Sequence, residues 1–248
     1  MLRVANGVER VVDRSGTLAD DATRESVSFT IGAATISGEA LALDTSRNMS
    51  FDTAAAIDAQ NIAISSDAIA FSSRTFGISG LVISPELEQV LGQAQRLTVR
   101  AAGTIGFTPE TTHVFNDLRL DVAGIRLIRP GNTDIADQLG VTISADTLWI
   151  GNSGADTGVC TPGAALACGA AGNNLVLDTR AIHFGSGTFR TYGFDGEVAL
   201  TATDGAFYEG EGIFDVGGAA LSLTTPFLVD LGKDGVPRSG AVQPNLEI

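Results

Sequence analysis

Residues 62–71 read IAISSDAIAF, and this stretch contains the unit from which the chain is built. An apolar-x-apolar triplet at 62–64 is followed by four small or polar residues and a second such triplet at 69–71. This alternation places the two apolar side chains of a triplet on one face of a β-strand and the middle residue on the other. Two such strands cannot enclose a core alone, so the unit predicts a fold in which many copies stack.

The unit recurs along the chain, and its first triplets begin at residues 41, 62, 97, 118, 141, 175, 198 and 221. Five of the seven steps are 21 to 23 residues long, and the other two are longer by about a dozen residues. This step predicts an all-β fold, a right-handed parallel β-helix (a solenoid) with about 21–23 residues per coil. A β-sandwich also alternates strands with turns, but it does not require one unit at a fixed step.

Small or β-branched residues separate the triplets, and we expect them to form a tight corner in every coil. These residues are Thr45, Ser66, Ala101, Ala145, Thr179, Ala202 and Thr225. The two long steps predict insertions at about 74–96 and 151–174, in loops that leave the stack and return to it.

The first insertion contains the start signals of a short helix. Ser84 is suited to the N-cap, Pro85 to the first helical position, and acidic residues follow in the first turn. The apolar face of this helix would be formed by Leu87, Val90 and Leu91. We expect the helix to cover apolar coil surface, with the binding of a partner helix as the alternative.

The second insertion contains the only two cysteines, Cys160 and Cys168, on a segment rich in glycine, alanine and proline. Their spacing predicts a local disulfide that forms in an oxidising compartment, with two free thiols as the alternative. A metal site would need two more ligands, and neither His113 nor His183 has a matching spacing. We therefore expect neither a metal ion nor a cofactor at the cysteines.

The charge of the chain excludes several partners. Lysine and arginine total 15 against 29 acidic residues, which gives a formal net charge of −14. Such a chain is repelled by nucleic acid and by anionic membranes, so we expect no nucleic-acid partner. No apolar run approaches the ~18 residues of a transmembrane helix, so the chain is not expected to span a membrane.

The sequence contains no nucleotide-binding, zinc-protease or nucleophile-elbow motif, and no catalytic residue is assigned. We expect His113 and His183 to face solvent. When the first triplets are aligned, the residue after the triplet is acidic in three of eight coils and never in two consecutive ones. That pattern argues against polysaccharide cleavage, which needs aligned carboxylates. The acidic residues of 195–215 are compatible with a calcium site, with solvated turns as the alternative.

Several stretches resemble a known family. They are residues 2–7 (LRVANG), 40–49 (ALALDTSRNM), 95–100 (QRLTVR), 193–200 (GFDGEVAL) and 210–215 (GEGIFD). These stretches are similar to the uncharacterised conserved region in the later part of filamentous-haemagglutinin-like exoproteins of Gram-negative bacteria. The resemblance implies a segment of a large β-helical adhesin exported by two-partner secretion, with an outer-membrane transporter as its partner during export. It brings no catalytic residues.

Residues 1–7 lack the cationic and apolar regions of a signal peptide, so the chain is expected to be either cytoplasmic or a piece of a longer exported protein. The cysteines and the resemblance favour the second alternative, so we expect residues 1–248 to be one β-helix segment of a longer exported protein. The expected location is extracellular or on the outer-membrane surface. The expected function is non-enzymatic attachment to a host-cell or bacterial-surface ligand, a protein or a glycan, through the inserted loops. The alternatives are a polysaccharide lyase or glycosidase on the same fold, and a purely structural spacer.

Overall fold

The structure is a computed structural model, and it confirms an all-β parallel β-helix. It describes residues 2–5, 29–44, 49–52, 54–66, 68–73, 80–101, 103–109, 111–128, 140–154, 172–231 and 246–247. In chain order the elements are β1 (Leu2–Ala5), β2 (Phe29–Ile31), β3 (Thr35–Asp44), β4 (Met49–Phe51), β5 (Ala56–Ser66), β6 (Ile69–Phe71), β7 (Leu81–Ile83), α1 (Pro85–Gly92), β8 (Arg96–Ala101), β9 (Thr104–Phe107), β10 (Thr111–Asp121), β11 (Gly124–Leu127), β12 (Gly140–Gly151), β13 (Asn174–Phe184), β14 (Gly187–Tyr192), β15 (Glu197–Tyr208), β16 (Gly212–Asp215), β17 (Ala220–Thr224), β18 (Leu228–Asp230) and β19 (Leu246–Glu247).

The strands form two sheets. The order of the first sheet is β1-β3-β5-β8-β10-β12-β13-β15-β17, with β18 also paired to β15, and the order of the second is β19-β16-β14-β11-β9-β6-β7-β4-β2. Neighbouring strands are parallel except β1, which pairs with β3 in the antiparallel direction. Parallel pairing of strands from successive coils distinguishes this fold from the sandwich alternative.

The core lies between the sheets and is built from the apolar positions of the triplets. Ile62 pairs with Leu97, and Leu97 pairs with Leu118 in the next coil, and all three are at most 1% exposed. Each fully buried aliphatic side chain contributes about 1.5–3 kcal/mol relative to its exposed state. The repetition of such columns stabilises the stack.

The predicted alignment of the coils is wrong at one step, between the triplet that begins at residue 118 and the triplet that begins at residue 141. Leu118 pairs with Leu148 rather than with Val141, because β12 is long enough to hold both triplets of its coil in one sheet. Three of the residues predicted at corners consequently lie inside strands. They are Ala145, Thr179 and Ala202, which continue an inward column that begins at Phe115.

The first insertion contains the predicted helix. Helix α1 has Ser84 as its N-cap and Pro85 in its first turn, and Leu91 is fully buried. The side chain of Ser84 accepts a hydrogen bond from the amide of Leu87. Its hydrogen bond to Glu86, together with a backbone hydrogen bond, lowers the pKa of that carboxyl group. The prediction of a short helix at this position is confirmed.

Helix α1 occupies the place of a strand segment. Strand β8 pairs only with the later parts of β5 and β10, from Asn61 and Asp117 onward. The helix contacts both β5 and β10, whose earlier parts β8 does not reach. The Asn116 side chain donates to the carbonyl oxygens of Gly92 and Ala94 at the end of the helix. The helix therefore covers apolar surface of the first sheet, as predicted.

The insertions change the second sheet in opposite ways. Strand β7, in the first insertion, enters the second sheet between β4 and β6. Strands β11 and β14 pair directly, so the coil that contains β12 places no strand between them. Residues 155–171 of the second insertion lie outside the described residues, and so do Cys160 and Cys168. The disulfide therefore stays a prediction.

No helix among the described residues has both the length and the apolar character needed to cross a membrane.

Candidate functional site

An outward-facing column of aromatic and cationic side chains crosses the first sheet. Arg119, Trp149, His183 and Phe207 occupy the same register position in β10, β12, β13 and β15. Each is the middle residue of a triplet, so its side chain points away from the core. We call these four residues the outer ladder.

Trp149 lies across two glycines on the outer surface of the sheet. A Cβ added at Gly151 would fall 2.3 Å from Trp149 Cη2, and one added at Gly185 would fall 2.2 Å from Trp149 Cζ2. The guanidinium carbon of the exposed Arg119 lies 4.0 Å from the ring centroid, a cation–π contact. The indole Nε1 atom is buried and has no hydrogen-bond partner among the described residues.

His183 and Phe207 form a stack at one end of the ladder. Their ring centroids are 4.9 Å apart and their planes differ by 24°. The Nδ1 atom of His183 lies 2.9 Å from Glu209 Oε1, and the two side chains are 24% and 38% exposed. The histidine is outward-facing and partly exposed, in agreement with the prediction, and its two partners fix the orientation of the ring.

Phe227 lies beside the ladder, two residues before Val229, which is the register partner of Phe207. Its ring lies on Gly205, where a Cβ would fall 2.3 Å from Phe227 Cε2 and where φ is +132°. The carbonyl oxygen of Phe227 accepts hydrogen bonds from the amide of Ala206 at 3.0 Å and from the hydroxyl of Thr225 at 2.9 Å. The ring contacts the edge of Phe207 at 5.8 Å, yet 46% of the residue is exposed. This aromatic ring is held in place while much of it faces solvent.

Charged pairs that bridge neighbouring coils flank the ladder. Two guanidinium nitrogens of Arg180 donate to Asp204 Oδ2, at 2.7 and 3.1 Å. Both side chains are more than half exposed, so the pair contributes little to stability. Exposed Asp146 and Asp178 lie on the same strands as Trp149 and His183. The surface beside the ladder is polar and carries more acidic than basic groups.

The acidic residues between 195 and 215 do not converge on one point. Asp195 accepts a hydrogen bond from the amide of Asn173, and Asp204 and Glu209 contact Arg180 and His183. Asp215 contacts Arg190 at 3.0 Å. The part of the chain that the structure describes contains no group of three or more His, Cys, Asp or Glu side chains arranged for a metal ion. Calcium in this region therefore has no support from the geometry.

His113 lies inside the coil, and the prediction that it faces solvent is wrong. Its side chain is 3% exposed and its Nδ1 atom lies 2.7 Å from Glu88 Oε1 on α1. Its Nε2 atom lies 2.7 Å from Thr111 Oγ1, whose hydroxyl donates to the carbonyl oxygen of Thr108. The order carboxylate, imidazole and hydroxyl resembles that of a nucleophilic triad. Here, however, the hydroxyl and both ring nitrogens are already bonded within the fold.

The ring of His113 packs edge-to-face against Phe71 and Phe107, at centroid distances of 5.5 and 4.7 Å. Its register partner in β12 is Ile143, an ordinary core position. The sequence predicts a turn at His113 because two threonines precede it and it belongs to no apolar triplet. The signal that was available is the alternation of His113 with Phe115, which puts both on the inward face.

The outer face of the second sheet carries a different arginine. Arg126 is partly buried, and its Nε atom has no hydrogen-bond partner among the described residues. Burial lowers the pKa of this guanidinium. Its register partners are Gly106 and the aromatic Tyr192.

The outer ladder escaped the sequence analysis because of the register error. All four members are the middle residues of identified triplets, but Arg119 was counted in a first triplet and Trp149, His183 and Phe207 in second triplets. Aligning the triplet at 118 with that at 148 brings the four residues into one column. The signal was therefore present in the sequence.

Comparison with protein-family models, with curated proteins and with solved structures yields no match. The resemblance to filamentous-haemagglutinin-like exoproteins accordingly stays a prediction.

Proposed function

We propose that this chain is a non-enzymatic, adhesive β-helix segment of a large secreted or surface-exposed bacterial protein of the filamentous-haemagglutinin-like kind. The observation that carries the proposal is the outer ladder, a column of outward aromatic and cationic residues supported by an uninterrupted core. Exposed apolar patches mark interaction sites, and tryptophan and arginine are enriched among the residues that dominate binding energy.

The arrangement of charges favours binding over catalysis. Arg180, His183 and Arg190 each contact an acidic residue of the following coil. General acid–base cleavage of a glycan needs two carboxyl groups placed on either side of one bond. Beside the ladder the carboxylates of Asp204 and Glu209 are held by Arg180 and His183 instead.

The pocket beside the glycines of this region is too small for a substrate. It has a volume of about 10 Å³ and is lined by Ile150, Phe184, Phe189, Phe214 and neighbouring residues. That space fits roughly one water molecule. An adhesive surface on the outside of the coil needs no such cavity.

Attachment of the purified full chain to cells tests the proposal. We expect beads coated with the folded chain to bind host epithelial cells or bacterial cells in a saturable manner, and soluble chain to compete. Binding that does not saturate, or that soluble chain fails to compete, would contradict adhesion and favour a structural spacer. Circular dichroism of the same preparation verifies the β-structure of the coated protein.

A further inference from the structure

We propose that the outer ladder and Phe227 form a binding site for an extended, uncharged glycan that lies obliquely across the outer face of the first sheet. The inference rests on the proposed function, because it names the class of ligand that the adhesive surface recognises. It depends on the orientation of two aromatic rings and on the charge around them.

Two rings lie on glycines and thereby form platforms. Trp149 rests on Gly151 and Gly185, and Phe227 rests on Gly205. A ring that lies on a glycine is parallel to the sheet surface and presents its opposite face outward, whereas the stacked rings of His183 and Phe207 present mainly their edges. The apolar C–H faces of a pyranose pack on outward aromatic faces of this kind.

The two platforms define the length and direction of the ligand. Trp149 lies in β12, and Phe227 directly precedes β18, the third strand along in the same sheet. The rings lie on Gly151 and Gly185 and on Gly205 of β15, so about one to two strand spacings of ~4.8 Å separate them along the axis. The four residues between register positions 181 and 185 add about 13 Å along the strand direction. An oligosaccharide of several units spans this distance, whereas a single sugar does not.

Polar groups for sugar hydroxyls lie beside the rings. Glu209 contacts His183, and Asp204 contacts Arg180, so each pair offers both donors and acceptors. Arg119 covers the outer face of Trp149 and is itself exposed, so a ligand reaches that platform by displacing it. The buried indole Nε1 has no hydrogen-bond partner among the described residues, so its N–H is an unused donor.

The local charge favours a neutral sugar. Asp146, Asp178, Asp204 and Glu209 line the outward side of these strands, against Arg119 and Arg180. The whole chain carries a formal charge of −14. Uronic or sulfated sugars would meet a net negative surface and be repelled.

The shape of the surface disfavours a protein ligand. A specific protein interface covers about 800 Å² on each partner and has a desolvated apolar centre. The ladder is one side chain wide, and the exposed Arg180–Asp204 pair borders it. A narrow apolar strip with hydrogen-bonding groups at its side suits a linear glycan.

Isothermal titration calorimetry of the full chain tests this inference. The probes are neutral hexasaccharides of glucose, mannose and xylose, with oligogalacturonate and heparin hexasaccharide as anionic probes. We expect at least one neutral hexasaccharide to bind more tightly than both anionic ones. Phe227→Ala should weaken that binding about tenfold, equivalent to the loss of one aromatic contact. The matched control Ile213→Ala removes another exposed apolar side chain, 41% exposed on the second sheet, and should leave binding unchanged.

Preference for an anionic probe, or undiminished binding by the folded Phe227→Ala variant, would overturn the inference. So would the absence of binding to every neutral probe. Treating target cells with periodate, which destroys vicinal diols, separates this result from the proposed function. If the chain attaches equally to treated and untreated cells, adhesion stands and the glycan site is wrong. If the chain attaches to neither, the proposed function fails as well.

Discussion

The molecule contains two histidine–glutamate pairs, one inside the coil and one on its outer face. His113 contacts Glu88 at 2.7 Å, and His183 contacts Glu209 at 2.9 Å. Each imidazole also contacts an aromatic ring, that of Phe107 in the interior and that of Phe207 outside. The pairs thus share their chemistry, but the side chains of His113 and His183 are 3% and 24% exposed.

The difference in burial gives the two pairs different roles. The inner pair joins α1 to β10, so it holds a helix against a sheet where the adjacent strand is short. The outer pair joins β13 to the residue that follows β15, and these two strands are already hydrogen-bonded to each other. The first is part of the stability of the fold, whereas the second orients a ring at the surface.

The largest effect is expected from His113→Ala. The substitution leaves a cavity beside Phe71 and Phe107 and removes the partner of Glu88, so we expect a loss of about 3–5 kcal/mol of unfolding free energy. Chemical denaturation followed by circular dichroism measures the loss. Glu88→Gln is the matched control, because its amide can still hydrogen-bond to the ring and the cost should be about 1 kcal/mol. A loss below that of the control would mean that the inner pair does not hold the helix.

An intermediate effect is expected from Gly185→Ala, on the outer face. The new Cβ would fall 2.2 Å from the ring of Trp149, so the indole must move off the glycines. We expect this movement to lower the unfolding free energy by about 1–3 kcal/mol. Trp149 is the only tryptophan, so a red shift of its fluorescence emission reports the movement directly. Gly103→Ala is the control, since nothing lies within 4 Å of a Cβ at that position. An emission maximum that stays at its wild-type value would contradict the platform geometry.

The smallest effect is expected from His183→Ala. Its partner Glu209 is 38% exposed, so water replaces the lost contact and the cost should be about 1 kcal/mol or less. Denaturation under the conditions used for His113→Ala gives the direct comparison. A cost equal to that of the inner substitution would show that burial is not what separates the two pairs.

The sequence was sufficient for the core and for the helix. Alternating triplets such as 62–64 predicted strands with one apolar face, and their fixed step predicted stacking. Ser84 and Pro85 predicted the start of α1 because capping depends on local residues alone. These features follow from short-range chemistry, which a sequence displays directly.

Register and burial were harder to predict because they depend on neighbours in other coils. The triplets at 141 and 148 have the same apolar pattern, so the pattern alone did not decide which of them pairs with Leu118. Strand β7 was assigned to a loop because three apolar residues beside a helix carry no sign of the sheet that they join. His113 is buried because Glu88, 25 residues earlier, supplies a partner.

The two insertions change the connections between the two sheets in opposite directions, and their effects cancel. The first adds β7 to the second sheet, and each strand of the first sheet then connects to a position one step further along the second. The second insertion belongs to the coil of β12, and that coil contributes no strand to the second sheet between β11 and β14. From β13 onward, strands of the first sheet again connect to the original positions in the second sheet. In the coils between the two insertions, each strand of the first sheet is therefore connected to a strand one position further along the second sheet. We expect that removing one insertion alone would leave the strands of every later coil paired one position away from their present partners.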